Sequence, residues 1–169
     1  LDPANPDNVF YGSNQLYKST NAASNFSAIS PDLTNGAGVG NLTFGTLTTI
    51  DVSTINSDVI YVGTDDGNVW VTQDGGANWT NISEDLPNRW VTKVLASRED
   101  VNRVYVTFSG YRYGEDNGHV YKSDTYGTSW TDISTGLPDI PINDVVQDQN
   151  GVLYLGTDIG VLGSANYGT

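Results

Sequence analysis

Apolar residues in this chain come in short runs, and no segment carries a helical stripe. Val59-Ile60-Tyr61-Val62, Val69-Trp70-Val71, Val104-Tyr105-Val106 and Val152-Leu153-Tyr154-Leu155 are each bounded by Gly, Asp, Asn or Pro. β-Branched and aromatic side chains fit a pleated, half-buried surface, and the flanking residues favour turns. The runs therefore predict strands. Many short strands at regular spacing point to an all-β sandwich, barrel or propeller.

Internal repetition narrows the choice. Ile60-Tyr61-Val62-Gly63-Thr64, Val104-Tyr105-Val106-Thr107 and Leu153-Tyr154-Leu155-Gly156-Thr157 are versions of one phrase, and Val9-Phe10-Tyr11-Gly12-Ser13 is a looser one. A second phrase follows each: Tyr17-Lys18-Ser19, Val71-Thr72, Tyr121-Lys122-Ser123 and Leu162-Gly163-Ser164. A third opens on an aromatic, at Phe26, Trp79 and Trp130. A period of about 40–50 residues with four short strands per unit is that of propeller blades. The spacing predicts an all-β β-propeller built of four-stranded antiparallel blades. Its units are a partial blade at 1–30, blades at 31–83 and 84–134, and a partial blade at 135–169. Expected strands are Leu47–Val52, Val59–Gly63, Asn68–Thr72 and Trp79–Ile82 in the first whole blade. Those of the second are Trp90–Ala96, Arg103–Phe108, His119–Ser123 and Trp130–Ile133. Two whole and two partial blades are expected to form one segment of a larger propeller, whose remainder comes from the same polypeptide or a neighbouring chain.

The turn before each third-phrase aromatic is the most specific signal. Thr72-Gln73-Asp74-Gly75-Gly76-Ala77-Asn78-Trp79 fits Ser/Thr-x-Asp-x-Gly-x-x-Trp, and Ser123 to Trp130 keeps Ser123, Gly127 and Trp130 with Thr125 in the Asp place. Ser19 to Phe26 keeps the outline, with Asn21. On these residues the chain resembles the Asp-box (BNR-like) propeller superfamily. That group includes sialidases, xyloglucanases, sortilin-type receptors, a photosystem assembly factor and many secreted bacterial repeat proteins. The resemblance implies a secreted or cell-surface bacterial protein. The motif's physics is structural: Asp accepts backbone N–H bonds in its own turn, Gly76 and Gly127 take positive φ, and the Trp packs on neighbouring strands.

Charge and composition remove other classes. Seven Lys+Arg against twenty Asp+Glu give a net charge of −13. That disfavours nucleic acid, which is bound by clustered cations, and an anionic membrane surface. No run has the roughly 18 apolar residues of a membrane-inserting helix. There is no cysteine, hence no disulfide, thiolate nucleophile or cysteine–metal site. The single His119 assembles no zinc constellation. Asp65-Asp66-Gly67 reads as a hairpin turn and lacks calcium-loop spacing. No cofactor and no metal are expected.

In an antiparallel blade, the turns joining strands two and three share a side with the connections between blades. That side is expected to be functional, and Ser109–Gly118 is its richest segment. Tyr111, Arg112 and Tyr113, with Arg89 and Trp90 nearby, form a candidate ligand surface. Aromatic faces stack on sugar C–H faces, and polar tips take hydroxyls. Glu115, Asp116 and Asp144 are the candidate acids. A glycosidase needs two carboxylates at defined spacing, and a sialidase-like site needs an arginine cluster that Arg89, Arg98, Arg103 and Arg112 do not supply here. The expectation is a non-catalytic module binding glycan or protein. A xyloglucanase-like or sialidase-like hydrolase and a structural assembly factor are the rival readings.

Overall fold

The computed structural model describes residues 1–36, 45–110 and 118–164. Its strands are β1 (Val9–Gly12), β2 (Leu16–Ser19), β3 (Ser27–Ala28), β4 (Leu47–Val52), β5 (Ile60–Thr64), β6 (Val69–Thr72), β7 (Thr80–Asn81), β8 (Val91–Ala96), β9 (Val104–Phe108), β10 (Val120–Ser123), β11 (Thr131–Asp132), β12 (Ile142–Gln147), β13 (Leu153–Thr157) and β14 (Gly160–Ser164). The described residues include no helix, and hence none long and apolar enough to cross a membrane. The strands form four antiparallel meanders in chain order: β1-β2-β3, β4-β5-β6-β7, β8-β9-β10-β11 and β12-β13-β14. Predicted and observed strands differ by at most one residue at either end. The outermost strands shrink to two residues because Trp79 and Trp130 turn towards the preceding sheet before ladder pairing begins.

Strand alternation explains how the sheets stack. Successive side chains point to opposite faces. Ile60 and Val62 of β5 pack towards the first sheet with Leu16 and Leu33, while Tyr61 packs towards the third with Val91 and Val94. Val104 and Val106 likewise face back to the second sheet, and Tyr105 faces forward to Ile142 and Val145. Each core cluster thus lies between consecutive sheets, and β5 and β9 are buried along their whole length. In β13 the equivalent Tyr154 is 39 % exposed, against 0 % for Tyr61 and Tyr105.

A feature without a signal in the sequence reading recurs on the first strand of three sheets. The ladder register slips at Leu47/Thr49, Val91/Lys93 and Ile142/Asp144. A bulge leaves one residue out of the ladder and re-aims it. The bulged Thr48 donates to Val91 O at 2.6 Å, and Thr92 donates to Ile142 O at 2.6 Å, so each hydroxyl bridges to the next sheet. Asn143 instead donates to Asp158 within its own sheet, at 2.7 Å. Further along the seam between the second and third sheets, Asp51 Oδ2 accepts Ala96 N–H at 2.8 Å. Burial pushes the Asp51 carboxyl up to about 6, partly opposed by that bond and by Lys93.

Candidate functional site

The meander sorts the connections onto two sides. On one, Gly75 N–H donates to Asp58 O and Tyr126 N–H to Asn102 O, joining the turns between strands three and four to those between strands one and two. The hydroxyl that opens each three-to-four turn organises it. Thr72 Oγ1 accepts Gly76 N–H at 3.0 Å and donates to Asp74 at 2.8 Å, and Asp74 accepts Asn78 N–H at 2.8 Å. The Asn78 side chain also donates to Asp74, at 2.7 Å. Hydrogen bonds from Asn78 and Thr72 hold the Asp74 carboxyl down at about 2. Gly76 and Gly127 have φ of 104° and 90°, which side chains resist. Trp79 Nε1 donates to Ile29 O at 2.8 Å and Trp130 Nε1 to Ile82 O at 2.9 Å, so each indole lies half-buried on the preceding sheet. These bonds tie the turns of this side to one another and to the preceding sheet.

The other side carries the turns between strands two and three. In the second sheet Asp65 accepts from Thr46 N–H at 2.8 Å, and Asp66 accepts from Thr64, Asn68 and Asn35. Both carboxylates are thus used in tying the turn to the connection before it. In the third sheet the equivalent segment is longer and is anchored at both ends. Ser109 N–H donates to Trp90 O at 3.0 Å, and Arg89 Nη2 donates to Gly118 O at 2.9 Å. Arg89 is buried beneath the surface, whereas Trp90 is 44 % exposed. Tyr111, Arg112, Tyr113, Glu115 and Asp116 lie outside the described residues. Asp144 stands on β12 at its bulge, with Lys93 Nζ at 3.7 Å.

Beside this anchor opens a cleft of about 220 Å³, lined by Gly118, His119, Asp132, Ser134, Thr135, Leu137, Pro138 and Asp139. The turn towards β10 and the connection after β11 form its walls. Ser134 Oγ accepts the N–H groups of His119 and Val120 at 2.8 and 3.0 Å, which fixes where the connection leaves the sheet. The His119 ring is buried, and its Nε2 lies 2.8 Å from Asp139 Oδ1, while Asp139 is open to solvent. Gly110 leaves room for the imidazole, and Gly118 leaves room for the Asp132 carboxylate. A Cβ at Gly110 would stand 2.2 Å from the imidazole, and one at Gly118 2.3 Å from the Asp132 carboxylate. The lining brings carboxylate, hydroxyl and imidazole groups together with Leu137 and Pro138.

Arg89 and Trp90, expected near the long segment, bond to its described ends, Gly118 and Ser109. The sequence reading passed over Asp132, Ser134 and Asp139. The pairing of Asp139 with the chain's single histidine depends on tertiary contact.

A family model described as "Two component regulator propeller" matches residues 136–158. No curated protein sequence matches the chain. Among solved structures, an ancestral GH74 enzyme is 24 % identical with a TM-score of 0.75, over 99 % of this chain and 22 % of that one. The GH74 xyloglucanase from Xanthomonas campestris is 18 % identical, TM-score 0.72, over 93 % of this chain and 26 % of the enzyme. An extracellular domain from B. thetaiotaomicron, described as part of a one component system, is 22 % identical, TM-score 0.65, over 98 % of this chain and 20 % of that one. The chain spans roughly a fifth to a quarter of each. These likenesses establish the fold as a β-propeller, of which this chain builds four sheets.

Proposed function

We propose that this chain is part of a non-catalytic binding module of the Asp-box kind, working outside the cell, and that the cleft beside His119 takes a glycan or a peptide ligand. The cleft itself carries this reading: a solvent-open, mixed polar and apolar hollow on the side that carries the turns between strands two and three. Trp90 supplies a stacking face, Asp139 and Ser134 supply hydrogen-bonding tips, and buried Arg89 positions Gly118 at the rim. Tyr111, Arg112 and Tyr113 complete the surface in this proposal. The extracellular setting is supported by the propeller relative described as an extracellular domain.

A hydrolase reading has one observation in its favour, that two carboxylates, Asp132 and Asp139, border the cleft. Glycan and peptide arrays probed with the chain, followed by a hydrolysis assay on each hit, separate the two. The expected result is binding without turnover, weakened roughly tenfold by Trp90→Ala or Asp139→Ala at unchanged melting temperature. Turnover lost on Asp139→Asn, Glu115→Gln or Asp144→Asn would make the protein an enzyme. Binding indifferent to both alanine variants would remove the cleft from the proposal.

A further inference from the structure

The second and third sheets build the same connection from different chemistry. Ser83 Oγ accepts Val69 N–H at 2.8 Å, as Ser134 Oγ accepts Val120 N–H at 3.0 Å. Leu86 N–H bonds to Ser83 O and Leu137 N–H to Ser134 O; Arg89 N–H bonds to Pro87 O and Ile140 N–H to Pro138 O. In this shared frame Asn68, Asn81 and Asn88 stand where the third sheet has His119, Asp132 and Asp139. Asn81 Oδ1 accepts Ser83 N–H at 2.9 Å, and Asp132 Oδ1 accepts Ser134 N–H at 2.8 Å. An amide thus serves the backbone as the carboxylate does: the frame needs an acceptor there and no charge. Asn88 lies against Gly67, whereas Asp139 turns to His119. Both carboxylates that replace amides line the cleft.

The cleft has acceptors left to offer. Ser134 Oγ is spent, taking the N–H groups of His119 and Val120 and donating to Val120 O at 3.3 Å. His119 Nδ1 is buried with no partner among the described residues, so the ring gives its Nε2 N–H to Asp139 Oδ1. The second oxygen of Asp132 and of Asp139 has no hydrogen bond among the described residues. Asp139 is 70 % exposed. No Lys or Arg stands among the lining residues, and Arg89 donates to Gly118 O.

We propose that the cleft takes the guanidinium of an arginine on a peptide partner, a step that rests on the cleft being a ligand site. A guanidinium carries five N–H donors and no acceptor, which suits two carboxylates with oxygens to spare. A sugar hydroxyl brings lone pairs that such a lining leaves unmatched. Leu137 and Pro138 supply an apolar wall for the methylene stem, along which a long cationic side chain packs while its head stays wet.

The probe is N-acetyl-Gly-Arg-Gly-amide, titrated into the intact chain beside its citrulline counterpart, which keeps the shape and loses the charge. Amide NMR should show shifts at residues 118–119 and 134–139. Citrulline should weaken binding about tenfold, and Asp132→Asn or Asp139→Asn about threefold each, the worth of a solvent-open ion pair. The second sheet already carries Asn at both places, so these variants keep the melting temperature. Asp85→Asn removes one charge from the corresponding connection of the second sheet and should leave the affinity unchanged, which separates the cleft from the net charge of −13. Equal affinity for the arginine and citrulline peptides, arginine binding that ignores both cleft variants, or tighter binding of glucosamine would overturn the proposal. A neutral glycan that shifts the cleft where the arginine peptide does not would overturn it and leave the cleft standing as a ligand site. Shifts at the cleft with no probe of either kind would remove both.

Discussion

The turns Thr72–Trp79 and Ser123–Trp130 end on the same indole anchor but are held by different chemistry. In the first, Asp74 gathers Thr72, Asn78 N–H and the Asn78 side chain. In the second, the hydroxyl of Thr125 accepts Ser129 N–H at 3.2 Å and meets the hydroxyls of Ser123 and Ser129 at 3.2 and 3.0 Å. Common to both is the opening hydroxyl, buried and accepting the N–H four residues on. The turn Ser19–Phe26 does the same: Ser19 Oγ accepts Ala23 N–H at 3.0 Å, and Asn21 accepts Asn25 N–H at 3.0 Å in the carboxylate's place. The buried hydroxyl and the aromatic therefore carry the turn, and the acid reinforces it.

The largest test removes the anchors. Trp79→Ala and Trp130→Ala should each cost about 2–3 kcal/mol in urea unfolding, somewhat below a fully buried aromatic because each indole is half-buried. A cost under roughly 1 kcal/mol for either would break the equivalence of the two turns. Next come the hydroxyls. Thr72→Val and Ser123→Ala should each cost about 1–2 kcal/mol, since each leaves a glycine N–H without its acceptor. Markedly unequal losses would show that the acid, where present, takes over the work. The Ser19 turn sharpens the comparison from the opposite direction. Ala22 and Ala23 hold φ of 52° and 67°, where the others place Gly75 and Gly76 or Tyr126 and Gly127. Ala23→Gly should therefore stabilise by about 0.5–1 kcal/mol. A loss would mean that unfolded-chain entropy outweighs the strain.

The smallest effect is the carboxylate's. Its folded pKa of about 2 lies below the ordinary aspartate value of 3.8. Asp74 therefore contributes stability above about pH 4 that is lost as pH falls through 2. The melting-temperature gap between the parent and Asp74→Ala should close over that range. Thr125→Asp should give the second turn the same acid-sensitive increment; a gap flat with pH would assign the bond network no ionic component.

Much of the sheet structure was legible because each unit repeats its strand phrases and turn signals, so an ambiguous run such as Val9–Ser13 is read by its better copies. The bulges at Thr48, Thr92 and Asn143 were not, because an extra residue in a strand has no compositional mark when Thr or Asn fits either register. Asn21 also looked weaker than it is, since an amide oxygen accepts the same backbone N–H as a carboxylate. The cleft was least legible. Trp90 could be placed from the strand order, but the His119–Asp139 contact joins a strand start to a connection twenty residues later, and only packing of the third sheet brings them within 2.8 Å.

Asp51 adds a consequence of another kind. Its proton is held up to about pH 6 by burial at the seam, where the unfolded chain would release it near 3.8. The folded state thus binds the extra proton across that interval, and stability declines as pH rises through it, opposite in sign to Asp74. Acid weakens a turn, whereas neutrality charges a seam. Raising the pH from about 4 to about 6 should therefore weaken the seam between the second and third sheets while the Asp74 turn stays intact.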